Sequence, residues 1–332
     1  MNGSVLILSA VMSMSGVWSS MNVDPCRWNE IASILSDNGF DTVFYPAAYG
    51  NDTYKEGLQA CLEACHPHGI EVHALIVMFK SRSASDPMNG IDDYETRMQG
   101  HSDGSMDPEW LDPTDPRNVR LMSGICLEIA SEFPVDGIHL DRIRWRDYLS
   151  GYSDSTRVRF IRDTGIVDIQ WPDDCLDGGE YYEDFLDWRA SAVTSAVMEV
   201  RNSLSRLNRT VQLSAAVMPK EREMIYWGQL WNEWLQDDLI DFAVPMNYTE
   251  SDSQLSVWGE RQISLAGNET VYCGIGYRSS SSELTENQMD QQIALAEQLG
   301  YDGFVVYRLC DDLIDLLRRR SLPEPDAIPV DP

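Results

Sequence analysis

Apolar positions along the chain follow two rhythms in turn. Short runs rich in β-branched and aromatic residues alternate apolar with small or polar positions, as strands do. Between them lie longer segments whose apolar residues recur every three or four positions, as on one face of a helix. Strands are predicted at 13–18, 41–48, 71–78, 136–142, 210–218, 241–248, 270–276 and 303–308. Helices are predicted over 26–38, 54–67, 117–132, 182–206, 224–237, 254–265, 285–299 and 311–320. Gly39, Gly69 and Gly300 read as helix stops. Thr285 reads as an N-cap before an acidic first turn.

Eight strand-then-helix units in one chain point to an α/β fold, a (β/α)8 TIM barrel formed as a single domain over residues 1–320. A doubly wound sheet is the alternative, but no Gly-rich phosphate turn follows the first strand. Two long insertions, 79–116 and 143–181, follow strands three and four, so they are predicted to roof the C-terminal face, where barrels keep their chemistry. Residues 321–332, "SLPEPDAIPVDP", read as a loose, Pro-rich acidic tail.

Charge narrows the partners. The chain of 332 residues carries 54 acidic against 25 basic side chains, a formal charge of -29. Nucleic acid and anionic membranes would be repelled. Only Lys55, Lys80 and Lys220 are lysines, so arginine supplies nearly all the positive charge. A surface rich in Asp and poor in Lys suits a salt-rich, halophilic setting; an acidic surface from a GC-rich genome is the other reading. Seven cysteines without a CxxC or a repeated spacing argue against a zinc site or a disulfide framework, and no metal or cofactor is expected. The apolar stretch 5–20 lacks a basic lead, so it reads as a first strand with its lead-in rather than a secretion signal. A cytoplasmic protein is expected, with secretion as the alternative. No apolar run reaches the length of a membrane span, and the oligomeric state stays open.

"DGIHLDRIRW" (136–145) ends a hydrophobic strand on an aspartate followed by arginines. Alternate barrel-strand residues point inward. Gly137, His139 and Asp141 share one phase, with Ile138 and Leu140 facing helices. Asp141 then stands at the C-terminal mouth of the fourth strand, where a carboxylate reads as catalytic. A buried Asp paired with Arg142 or Arg144 is the structural alternative.

This stretch resembles the fourth-strand motif of the family-10-like glycosyl hydrolases. Further matches follow in order: "SGVWSS" with Trp18, "CHPHGIEVHAL" with His66, Gly69 and His73, and "LDPTDPRNVR" with Asp112, Pro113, Pro116 and Arg120. "DWRASAV" with Trp188 and Arg189, and "DFAVPMNY" with Pro245 and Tyr248, complete the set over about residues 13–250. The resemblance implies a barrel glycosidase. Arg142 stands where the family has an acidic or aromatic residue, Met246 replaces a Gln, and the fifth strand reads "LSAAVMP".

Glycoside hydrolysis uses two carboxyl groups flanking the scissile bond. Asp141 is the candidate nucleophile or charge stabiliser. Glu250, just past strand six, is the first candidate partner and Glu221 the second, with Asp252 and Asp311 behind them. His73 and His139 are candidates to bind sugar hydroxyls or orient Asp141, or else form a core pair. Trp18, Tyr45, Trp145 and Tyr248 are candidate substrate-binding rings, and Trp110, Tyr148 and Trp171 lie in the roof insertions. Trp188, Trp227, Trp231, Trp234 and Trp258 fall at helical spacings and read as packing residues. Because Arg142, Arg144 and Arg146 cluster beside Asp141, the cleft is expected to be less negative than the surface. Arg142 is assigned to structure and Arg144 to the ligand. A non-catalytic carbohydrate-binding barrel is the competing function. A barrel lyase or metal-dependent hydrolase is disfavoured by the missing ligand set.

Overall fold

Eight parallel strands close on themselves in the computed structural model, which describes residues 12–21, 23–81, 93 and 96–321. They are β1 (Met14–Ser19), β2 (Thr42–Tyr49), β3 (Glu71–Val77), β4 (Gly137–Asp141), β5 (Gln212–Val217), β6 (Phe242–Asn247), β7 (Tyr272–Gly276) and β8 (Gly303–Leu309). Each pairs with its neighbour in chain order, and β1 pairs with both β2 and β8. This is the predicted (β/α)8 barrel, and every predicted strand lies within two residues of an observed one. The possible leader residues 5–11 and the tail beyond 321 lie outside the described residues.

The helices are α1 (Trp28–Asp37), α2 (Lys55–Cys65), α3 (Pro116–Glu132), α4 (Asp154–Thr164), α5 (Tyr182–Leu204), α6 (Glu221–Trp227), α7 (Trp231–Gln236), α8 (Asp252–Ala266), α9 (Glu286–Leu299) and α10 (Asp311–Ser321). The helix expected over 224–237 is two helices. Gly228, at φ +73°, takes the left-handed conformation that ends α6, and its N–H returns to the carbonyls of Met224 and Ile225. Helix α4, inside the second insertion, is an addition. Ser153 caps it by accepting the Thr156 N–H.

Outward strand residues such as Val17, Val43, Ile138, Leu140 and Leu213 pack with the helices in one large core. Inward residues fill the barrel itself: Met14, Phe44, Phe242 and Val305 form part of a second cluster. His73 and His139 sit in this interior, fully buried, with their ring centroids 5.1 and 4.5 Å from Phe44. The room for His73 comes from Gly137, where a Cβ would lie 2.2 Å from Nδ1. Gly137 of the "DGIHLDRIRW" stretch is therefore a packing requirement.

The two insertions fasten to each other beside the mouth. An antiparallel hairpin (Met98–Gly100 with Met106–Leu111) leads to Asp112, whose buried carboxylate takes the Thr156 hydroxyl at 2.6 Å and Arg159 at 3.1 Å. Burial raises the Asp112 pKa against the opposing pull of Arg159. Tyr152, Phe160, Cys175 and Phe185 make a separate small core under this roof. No helix among the described residues is long and apolar enough to cross a membrane.

Candidate functional site

Asp141 ends β4 because the next residue leaves the strand. Arg142 has φ +50°, and its N–H turns back onto Asp141 Oδ1 at 2.8 Å. The hydrogen bond fixes the carboxylate at the barrel mouth, half-buried, with the Met78 N–H held by its own backbone carbonyl at 2.9 Å. Beneath it, His139 accepts the Trp18 indole N–H at Nε2 (3.1 Å) and meets Ser214 Oγ at Nδ1 (2.8 Å).

Above Asp141 opens a cleft of about 920 Å³. Its floor includes Trp18, Leu75, Tyr248 and Tyr307. Tyr248 and Tyr307 stack with centroids 5.1 Å apart, and Trp18 stands edge-on to both at 6.3 and 6.2 Å. Burial pushes the Tyr248 phenol well above its ordinary pKa, so it enters the cleft as a neutral hydroxyl. On one side, Ser279 to Ser282 form a tight turn in which Ser279 Oγ accepts the N–H groups of Ser281 and Ser282 at 3.0 and 2.9 Å.

The charged wall holds Asp141, Glu223 and Glu283. It also holds Arg142, Arg144, Lys220, Arg278 and Arg308. Glu223 takes Lys220 at 2.8 Å, and Lys220 lies over the Trp258 ring. Arg278 pairs with Asp312 at 3.1 Å and reaches Glu283 at 4.0 Å. Arg142 and Arg144 both lie over Trp110, 5.7 and 5.1 Å from its centroid. Among the described residues no group of three or more His, Cys, Asp or Glu is arranged to hold a metal ion.

Of the residues singled out in the sequence, Asp141, Arg144, Trp18 and Tyr248 meet in this cleft. Several others do not. Glu250 is exposed and outside the cleft lining; its carboxylate accepts the Glu283 N–H at 3.0 Å, steadying the serine turn. Glu221 pairs with Arg261 on the outer surface. Tyr45 points outward, against Trp28 and Gly57. Trp145 is fully buried, donates to the Arg189 carbonyl at 3.1 Å and lies under the Arg189 guanidinium. His73 and His139 lie below the floor, out of reach of a ligand.

The roof rings are likewise absent from the cleft lining. Trp110 is buried beneath two arginines, Trp171 belongs to the small core, and exposed Tyr148 faces Tyr226. Arg146 turns away to Asp107 and His101. Arg142, assigned to structure, lines the cleft beside Tyr49. Trp258, read as packing, lies at its rim.

Glu223 and Tyr307 were missed. Tyr307 was legible, since it shares the inward phase of Gly303 and Val305. Glu223 sits on a short helix that the apolar pattern placed later.

A closed barrel of eight parallel strands with helices between them is the TIM-barrel architecture. The chain belongs to the glycosyl hydrolase-like 10 family, whose model matches residues 42–291. The fold is similar to the glycoside hydrolase domain of PgaB (BpsB) from Bordetella bronchiseptica (TM-score 0.70, 13% identity, 92% of this chain and 97% of that one). It is also similar to the catalytic domain of β-amylase from Paenibacillus polymyxa (TM-score 0.66, 14% identity, 93% and 99%). A β-galactosidase from Bacillus circulans sp. alkalophilus matches at TM-score 0.69 and 11% identity, over 90% of this chain and 50% of that one. Comparison with curated proteins gives no match.

Proposed function

We propose that the protein hydrolyses O-glycosidic bonds in a polysaccharide or oligosaccharide. The observation that carries this is Asp141, fixed by a 2.8 Å backbone hydrogen bond at the mouth of β4, facing a cleft floored by aromatic rings. Flat rings bury the apolar face of a sugar and leave its hydroxyls free to hydrogen-bond. Asp141 serves as nucleophile or as stabiliser of the oxocarbenium-like transition state. Glu223, from α6, is the partner that protonates the leaving oxygen. Lys220, 2.8 Å away, pairs with it in the same cleft, and bound substrate must displace that lysine before Glu223 can donate a proton. Tyr248 offers a hydroxyl to the sugar beside Asp141.

A second reading, carbohydrate binding without cleavage, draws support from the pairing of Glu223 with Lys220 and of Glu283 with Arg278. Reducing-end release across a polysaccharide panel separates the two. Cleavage of at least one polymer is expected. Saturable binding to a polymer that is never cleaved would overturn the hydrolase reading.

A further inference from the structure

The cleft inverts the charge of its own protein. The chain as a whole carries -29, yet the cleft wall contains five cationic side chains and three carboxylates. Pairing sharpens the contrast. Lys220 is taken by Glu223, and Arg278 by Asp312 and Glu283. Arg142, Arg144 and Arg308 form no ion pair with any described residue. Asp141 is thus the one cleft carboxylate, among the described residues, without a cationic partner, and it shares the cleft with three unpaired guanidiniums.

Their settings differ in a useful way. Arg308 is exposed, against the Tyr307 ring. Arg142 lies beside the Tyr49 hydroxyl and over Trp110. Arg144 donates Nη1 to the carbonyls of Trp145 and Arg146 at 3.1 and 3.0 Å, and its Nε is buried with no partner. An unpaired buried donor costs free energy, and Arg144 lines the cleft, which brings its guanidinium to the wall an anion would meet. Burial also lowers the Arg144 pKa to about 10, with Arg142 adding to the effect, as expected of a cation short of counter-charge.

We infer that the cleft takes an anionic saccharide, with carboxylate or sulfate groups held by Arg142, Arg144 and Arg308 while the sugar face rests on Tyr307 and Tyr248. Guanidinium forks match both oxyanions bidentately. The negative remainder of the surface repels such a polymer everywhere else, which confines it to the cleft. A cationic amino-sugar chain would meet the opposite field. The inference rests on reading the cleft as a glycosidase site, but it concerns binding, which does not require cleavage.

The test is a glycan array of uronate-containing and sulfated polysaccharides, each paired with its methyl-esterified or desulfated form. It is probed with Asp141→Asn protein at constant ionic strength. Binding to acidic members, weakened at least about tenfold on neutralisation, is expected. Loss on esterification assigns uronate, and loss on desulfation assigns sulfate ester. Arg308→Gln, an exposed change, should weaken acidic binding and leave thermal unfolding unchanged; Arg144→Gln should weaken it further. Binding confined to neutral or amino-sugar members, acidic binding indifferent to Arg308→Gln and Arg144→Gln, or no acidic member bound would each overturn the inference. Wild-type cleavage of a neutral polymer alone would refute it and leave the hydrolase reading standing. Acidic binding with no wild-type cleavage would do the reverse.

Discussion

Trp18, on the cleft floor, donates its indole N–H to His139 Nε2 at 3.1 Å. Indole is only a donor, so Nε2 accepts and the ring proton sits on Nδ1, directed at Ser214 Oγ 2.8 Å away. His139 is therefore a neutral strut under a ring that lines the cleft. Burial, reinforced by nearby His73, lowers its pKa well below the usual histidine value.

That relationship sets a pH dependence. Unfolded His139 binds a proton below about pH 6.5, while the folded ring resists it. Its contribution is fully present above that pH and is lost as pH falls toward the folded pKa. Thermal unfolding against pH should show this one-proton slope. His139→Gln, whose amide oxygen can still accept from Trp18, should remove it. His139→Leu leaves the indole N–H and the Ser214 hydroxyl unpaired, and should cost about 2–4 kcal/mol. An unchanged slope in the Gln variant would reassign the proton.

Gly137 should tolerate no side chain. A methyl group there meets His73 Nδ1 at 2.2 Å and Cε1 at 2.5 Å, and Phe44 and Phe242 flank that ring. Gly137→Ala is expected to lower stability by about 1–3 kcal/mol or more, measured by denaturant unfolding. Wild-type stability would show that the interior yields.

Glu223 and Glu250 are to be separated kinetically. Glu223→Gln should lower the hydrolytic rate on the order of 10²–10⁴-fold. Glu250→Gln keeps an oxygen for the Glu283 N–H and should retain most of the rate. The reverse order would move the acid role to Glu250.

These residues also show what the sequence made legible. Strand phase carried Asp141 to the mouth, because alternation of two is a local property; Trp18 and Tyr248 came with the family resemblance. It reached Arg144 less securely, since the positive φ of Arg142 breaks the phase. Tyr49 takes an inward place only because β2 slips a residue between Pro46 and Ala48, which no pattern announced. Trp145 and Trp110 were misread for another reason. A loop aromatic can face a cleft or anchor its own loop, and the choice is made by distant residues such as Arg189. Glu223 depended on where α6 begins, and helix ends are weakly encoded. Charge inversion in the cleft was foreshadowed by the run of arginines after Asp141, but Arg308 joins it from the far end of the chain.

The central claim is that Asp141 performs the chemistry. The most direct measurement is the initial rate of reducing-end formation by wild type and Asp141→Asn on the polymer that wild type cleaves fastest, with thermal unfolding and polymer affinity compared in parallel. A rate lower by about 10³-fold or more, with folding and binding retained, is predicted. A variant that cleaves within a few-fold of wild type would contradict the account.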